Sequence, residues 1–353
     1  MACYWLNKAP PRSTREGAAT GGIGMNVLVT GGAGYIGSVT VEALVGRGDR
    51  VVVFDNLVKG HTAAVHPQAT FIQGDLVDAA GIEAALRDHG IEAVIHFAAA
   101  SLVGESMQNP GKYFRNNVTG SLTLTDAMVA AGVQYLVFSS TAAVYGEPDT
   151  VPIPEDAPHR PTNAYGASKL AFEQLLPWYD RAYGRRSVAL RYFNACGASA
   201  AYGEDHHPET HLIPLVLAVA AGARDAAEVY GDDYATPDGT AVRDYIHVLD
   251  LADAHLRALD YLAGGGASTA YNLGNGLGFS VQEVIAAARR VTGHTIPTRS
   301  GPRRAGDPAT LVAGSERIRT ELGWTPQYPD LDTIIADAWR WQQAHPQGYR
   351  DSP

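Results

Sequence analysis

The sequence predicts an α/β fold: a doubly wound parallel sheet followed by a smaller, mixed α/β lobe. Three observations carry this prediction. Short β-branched runs alternate with helix-period stretches, the runs are apolar almost without a break, and the first passes directly into a glycine-rich turn. A strand that is apolar along its whole length must be covered on both faces, as in a parallel sheet layered with helices.

Taken in order, Val27 to Thr30, Val51 to Phe54, Thr70 to Gln73, Ala93 to Ala98, Tyr135 to Ser140 and Val188 to Phe193 read as strands. Between them Tyr35 to Arg47, Ala79 to His89, Tyr113 to Ala131 and Ala164 to Ala182 read as helices. After Phe193 the composition changes. Loops rich in Gly, Asp and His (197–211 and 231–239) separate the helical segments Val248 to Leu262, Val281 to Val291 and Leu331 to Gln343. The expected division is a loose tail over 1–24, a first domain over 25–195 and a second over 196–353, with part of 242–262 free to return to the first lobe. The tail carries Pro10, Pro11, Gly21, Gly22 and Gly24 but no apolar core, so it reads neither as a signal peptide nor as a structural element.

Composition narrows the function classes. With 27 Lys+Arg against 37 Asp+Glu the net charge is −10, which argues against a nucleic-acid or anionic-membrane partner. The chain is 46% hydrophobic and 18% charged, the balance of a globular protein. The longest apolar run, Leu212 to Ala223, contains Pro214 and Gly222 and is shorter than the ~20 residues a membrane span needs. Two cysteines, Cys3 and Cys196, form neither a metal knuckle nor a disulfide framework, so a reducing cytoplasm is expected.

The first strand runs into Gly31, Gly34 and Gly37 and then into a helix. In that context Gly31 permits the tight turn, Gly34 lets backbone approach a pyrophosphate at the helix N-terminus, and Gly37 lets helix and strand pack closely. The second strand ends in Asp55, where a carboxylate suits a ribose 2′-hydroxyl and repels a 2′-phosphate. The expected cofactor is therefore NAD on a Rossmann-type fold. Asp75 at the third strand end is placed for the adenine amino group, and Ala98 and Ala99 after Phe97 leave room for the cofactor backbone. His96, inside an apolar strand, reads as a packed core histidine.

Strand 135–140 leads into Ser139, Ser140 and Thr141, and a helix then opens with Tyr165 and Lys169 at i, i+4 on one face. A phenol with a pKa near 10 is a poor base at neutral pH, but a nearby ammonium and a nicotinamide cation stabilise its phenolate. Such a pair suits proton exchange with a substrate hydroxyl during hydride transfer.

These residues resemble the extended short-chain dehydrogenase/reductase superfamily. The runs Asn26–Ser38, Val103–Ser106, Asn116–Val118, Arg191–Asn194, Arg243–Val248, Tyr271–Gly274, Arg303–Arg304 with Gly306–Asp307, and His345–Tyr349 narrow the resemblance to the UDP-glucose 4-epimerase family over Met25 to Tyr349. The resemblance implies reversible C4 epimerisation of UDP-glucose and UDP-galactose through a 4-keto sugar with tightly held NAD, in galactose metabolism. Tyr165 would take the 4-hydroxyl proton, Lys169 would anchor the nicotinamide ribose, and Thr141 would bridge the 4-oxygen and Tyr165. It also implies cofactor contacts from Tyr35, Ile36, Asn56, Leu76, Phe97, Ser101, Asn116, Ser139, Tyr192 and Phe193. Asn194 and Arg243 would hold the UDP phosphates, and Arg304 and Asp307 the nucleotide's far end. His211 would lie near the uridine, with Leu212, Glu228, Tyr230 and Tyr245 completing the substrate side. Two positions depart from the pattern. Ser101 stands where some members have a cofactor-contacting Lys, and Leu311 where some have a bulky Tyr limiting the sugar pocket.

Rival readings are an epimerase of another UDP-sugar (N-acetylglucosamine, xylose or glucuronate), a nucleotide-sugar dehydratase and a non-catalytic NAD sensor. The dehydratase needs an additional acid or base after Thr141, where Ala142 and Ala143 stand; the sensor needs no Tyr165 and Lys169. His206, His207, Glu209 and His211 invite a metal reading, but they are not HExxH and flank Pro208, so no metal is expected. Helix 116–131 carries Leu122, Leu124, Met128 and Val129, which core packing explains; the family resemblance also implies a homodimer, for which this layer is a candidate seam.

Overall fold

The computed structural model describes residues 24–304 and 307–350, so the expected tail, apart from Gly24, lies outside the described residues, as do Cys3 and Gly306. The first lobe is built from β1 (Asn26–Thr30), α1 (Tyr35–Arg47), β2 (Arg50–Asp55), β3 (Thr70–Gln73), α2 (Ala79–Asp88) and β4 (Ala93–His96). Short helices α3 (Val103–Gln108) and α4 (Pro110–Phe114), a π-helical turn (Arg115–Gly120) and α5 (Ser121–Ala131) follow. Then come β5 (Tyr135–Thr141), α6 (Ala164–Tyr183) and β6 (Arg186–Tyr192).

The second half contributes β7 (Asn194–Cys196), α7 (Leu212–Ala220), β8 (Ala227–Tyr230), β9 (Val242–Arg243), β10 (Tyr245–His247), α8 (Val248–Ala263), β11 (Thr269–Leu273) and β12 (Phe279–Ser280). The chain ends with α9 (Val281–Thr292), β13 (Thr298–Gly301), β14 (Thr310–Leu311), α10 (Glu316–Leu322) and α11 (Leu331–Ala344).

The main sheet has seven parallel strands in the order β11-β6-β5-β4-β1-β2-β3. The strand order reverses at β1, which pairs with β2 on one side and β4 on the other, opening a crevice beyond the strand ends where doubly wound folds bind ligands. One face carries α1 and α8, with Val41, Leu44, Leu251 and Leu259 packed on Val29, Ile95 and Val188. The other carries α2, α5 and α6, with Leu86, Leu124 and Phe172 on Leu28, Val94 and Phe138. A separate core of α7, α9 and α11, centred on Val216, Ile285 and Ile334, supports the paired strands β8 and β13.

The sequence placed the first six strands. It extended the fourth to Ala98, whereas β4 stops at His96 because the Phe97 and Ala98 amides both turn to the Thr30 carbonyl, at 2.9 and 3.1 Å. It read 113–131 as one helix, whereas Asn109 caps a new helix at Pro110 and a π turn intervenes before α5. It did not place β11, which completes the sheet beside β6, while α8 lies against α1. No helix among the described residues is long and apolar enough to cross a membrane.

Candidate active site

The glycine turn sits at the strand reversal. Gly31 has φ +73°, and a Cβ there would lie 2.6 Å from the Ala98 nitrogen; a Cβ on Gly37 would lie 2.1 Å from the Gly31 carbonyl. Neither position has room for a side chain, so the α1 N-terminus is pressed against the turn. Asp55 closes it from the side: its carboxylate accepts the Ala33 amide at 3.0 Å and the Leu57 amide at 2.9 Å. Burial raises the Asp55 pKa, and these two bonds oppose that rise. Asp75 accepts from Asn56 at 2.8 Å, Leu76 is packed in the core under α2, and Ile36 is packed beside the turn. The Tyr35 hydroxyl reaches across to the Gly197 carbonyl at 2.7 Å.

The catalytic candidates converge at the end of β5, two strands along the sheet from this turn. Asn163 caps α6 by accepting the Gly166 amide at 2.8 Å, which sets Tyr165 in the first helical turn. The Tyr165 hydroxyl faces the Thr141 hydroxyl at the end of β5; burial raises its pKa and the neighbouring Thr141 hydroxyl lowers it. Lys169, one turn on, is 3% exposed and donates to the Ser139 carbonyl at 2.8 Å. Its Nζ lies 4.8 Å from the Phe138 ring centre. Desolvation lowers the ammonium to about 7 while Glu173, another turn on, pulls it up. Tyr192 shares a short hydrogen bond with the Ser139 hydroxyl, and burial raises its pKa. His96 is a satisfied core group between Thr30 Oγ1 at 2.6 Å and Ser121 Oγ at 2.8 Å, and burial holds its pKa down near 3.

Between these parts the loop after β4 is fixed by Asn117 in the π turn. Its side chain pairs with both polar groups of Ala100, at 2.8 and 2.9 Å, and donates to Ser168 at 2.9 Å. Asn116 leans on Asn117 at 3.0 Å, and Ser101 is exposed. Phe193 packs with Ala142, Leu170, Ala313 and Leu311.

In the second lobe Arg243 forms a short ion pair with Asp307 and donates to the Pro308 carbonyl at 2.8 Å. The Arg304 guanidinium stacks 4.1 Å from the centre of the Tyr230 ring. Asn194 is exposed at the start of β7, and Glu228 lies 3.9 Å from Arg299. Tyr245 is 4% exposed and packs in the second-lobe core, so its side chain sits deeper than its neighbour Arg243. His211 and Leu212 open α7.

The family model described as the NAD dependent epimerase/dehydratase family matches residues 27–274. The chain belongs to that family. Among its relatives, a UDP-glucose 4-epimerase of Lacticaseibacillus casei is 55% identical over 329 residues, 93% of this chain and 99% of the relative. A crystal structure of UDP-glucose 4-epimerase superimposes with TM-score 0.91 at 52% identity, covering 92% of this chain and all of that one. The UDP-glucose 4-epimerase of Brucella ovis, solved in complex with NAD, superimposes with TM-score 0.88 at 48% identity, covering 90% of this chain and 98% of its own.

The site fits the cofactor of an NAD dependent epimerase/dehydratase. The turn keeps Cβ-free backbone at the helix N-terminus, Asp55 presents an acid at the end of β2, and Lys169 and Tyr165 line the end of β5. The sequence reading missed three features. Glu173 follows Lys169 at the same i, i+4 spacing and is held by Ser140 and Arg191, but it reads as an ordinary helix residue. Asn117 is hidden in a π turn that no periodicity announces. Glu204 lies two residues before the first histidine of the 206–211 run, and the fold brings it against His206 and His211.

Proposed function

We propose that the protein interconverts UDP-glucose and UDP-galactose by inverting the sugar at C4. The observation that carries this reading is the Tyr165 hydroxyl facing Thr141 at the end of β5, with the buried Lys169 one helical turn on donating to the Ser139 carbonyl. Bound NAD supplies the acceptor for the C4 hydride and its return to the opposite face of the 4-keto sugar. The chain's own residues manage the proton. Burial keeps Tyr165 protonated until positive charge gathers around it; with Lys169 charged, the phenolate takes the 4-hydroxyl proton and later gives it back. Thr141 holds the 4-oxygen and Tyr165 in one hydrogen-bonded line, and Glu173 favours the cationic form of Lys169 against its desolvation. Arg243 and Asn194 bind the diphosphate, and Arg304, Tyr230 and Asp307 the nucleotide's far end.

The test is to incubate the purified protein with a panel of UDP-sugars and follow C4 inversion by NMR. Inversion of UDP-galactose is expected; inversion confined to other UDP-sugars would replace the substrate. One observation favours a broader range. Leu311 packs with Phe193 and Ala142 where some family members place a bulkier Tyr, so the side chain bounding the sugar side is smaller. UDP-N-acetylglucosamine is therefore a second expected substrate, and Leu311→Tyr should abolish its turnover selectively.

Residues 25–195 act mainly on the cofactor and 196–353 mainly on the UDP-sugar, with α8 and β11 as the return into the first lobe. A homodimer is supported by exposed Met107, Phe114, Trp178 and Tyr183 around α3, α4 and α6, with half-buried Leu122 and Val129 on α5. A cytoplasmic location is supported by the free thiol of Cys196.

A further inference from the structure

We propose that Glu204, His206, Glu209 and His211 form a binding site for a divalent transition-metal ion of the zinc type. The four residues fall within an eight-residue stretch, E-x-H-x-x-E-x-H, so the chain gathers them at little entropic cost. One ligand atom from each lies within 4.8 Å of the others. The Nδ1 of His206 is 3.1 Å from a Glu204 oxygen and 3.7 Å from a Glu209 oxygen; the Nδ1 of His211 is 2.6 and 3.2 Å from oxygens of the same two carboxylates. A tetrahedral ion with bonds of about 2.0–2.1 Å keeps neighbouring ligands roughly 3.3 Å apart, and these four distances bracket that value.

The chemistry agrees with the spacing. Two imidazoles and two carboxylates suit a first-row divalent ion, and two carboxylate charges balance it. Among the described residues no lysine or arginine forms an ion pair with either glutamate. The Glu209 carboxylate is also held by backbone, accepting the amides of Thr210 and His211 at 2.6 and 2.7 Å. The stretch itself is clamped, with Lys59 donating to the His207 carbonyl and the Tyr349 amide to Asp205 at 2.8 Å. His206 stands edge-on to Tyr35, the tyrosine of the glycine turn, with ring centres 6.3 Å apart. None of the four ligands hydrogen-bonds Tyr165, Thr141 or Lys169, and all four come from the 204–211 loop, so the ion cross-links that loop to itself and takes no part in proton transfer.

The bare cluster has another way to balance its charge, which is to protonate both imidazoles; a metal must displace those protons. Tag-free, NAD-loaded protein stripped with a chelator and titrated with Co²⁺ separates the two. The site predicts one equivalent bound, with the intense visible absorption of four-coordinate cobalt, displaced by Zn²⁺, and a melting temperature raised by Zn²⁺. Glu209→Gln keeps the shape and the backbone acceptor, and His206→Asn removes one imidazole; each should weaken Co²⁺ binding at least tenfold while NAD content and circular dichroism stay as in wild type. Faint six-coordinate absorption in the wild type, or equal affinity in both folded variants, would overturn the proposal and leave a proton-bridged cluster.

Discussion

The corner around Lys169 and the loop around His206 both bury ionisable groups, yet they move the charge in opposite directions. Burial brings Lys169 down to about 7, and Glu173 only partly restores it. That carboxylate is already committed to Arg191, whose guanidinium donates to it at 3.1, 3.0 and 2.6 Å, and to Ser140. In the loop burial also works against charge, but Glu204 and Glu209, which form no ion pair with a lysine or arginine among the described residues, outweigh it, lifting His206 to about 9 and His211 to about 10. The difference teaches that burial alone does not decide a charge state. What decides it is whether the neighbouring counter-charge is free or already taken.

The largest test of this contrast removes the acid whose pKa the lysine corner is built to adjust. Tyr165→Phe should lower the rate of NAD reduction by UDP-galactose by about 10² to 10⁴, roughly 3 to 5 kcal/mol of barrier, with UDP binding retained. A single-turnover rate within a few fold of wild type would show that the proton goes elsewhere. Glu173→Gln comes next. It leaves the Arg191 guanidinium buried with its charge unpaired, and breaking such a pair costs about 3 to 5 kcal/mol, readable by denaturant unfolding. It should also slow turnover by making Lys169 harder to protonate; a variant as stable as wild type would mean the pair contributes nothing.

The pH dependence is a smaller effect with a definite sign. Native Lys169 sheds its proton near pH 7, whereas the unfolded chain holds it to about 10.4. Between these values the unfolded state binds more protons, so stability rises with pH, by at most about 1.4 kcal/mol per unit. In NAD-free protein the stability of wild type relative to Lys169→Met should therefore grow from pH 7 to 10, and a flat difference would show that Lys169 stays charged when buried. Asp55→Ala should weaken NAD binding and relax discrimination against NADP, since it removes an acceptor and a repulsive charge. Unchanged preference in titrations of cofactor-free protein would assign Asp55 to the turn alone. The smallest change is expected from Thr141→Ser, which keeps the hydroxyl; Thr141→Val, of nearly equal volume, should be the damaging partner in the same rate assay.

What could be read in advance follows the distance between the residues involved. Apolar strands, the glycine turn and the i, i+4 pair of Tyr165 and Lys169 are local patterns, and the fold assembled from them is the observed one. Arg243 and Asp307 meet across 64 positions, and no local signal announces an ion pair of that span. Glu173 had the right spacing, but its meaning depends on Arg191 arriving from the next strand. In the 206–211 run Pro208 and the missing HExxH spacing argued against a metal, and the nearness of Glu204 to His206 and His211 shows only once the loop folds back on itself.

The late arrival of β11 has a consequence for synthesis. Its partner β6 ends at Tyr192, while β11 ends at Leu273, so the ribosome adds about 80 residues between them. At about 5 to 20 residues per second the first lobe waits roughly 4 to 16 seconds with β6 as an open edge, its amides and carbonyls unpaired. Over the same interval the opposite end of the sheet is already finished, because β3 ends at Gln73, only 18 positions after its partner β2 ends at Asp55. The nascent sheet therefore grows outward from β1, to β3 on one side first and then to β6 on the other, and the β6 edge is the one that only the second half of the chain can cover.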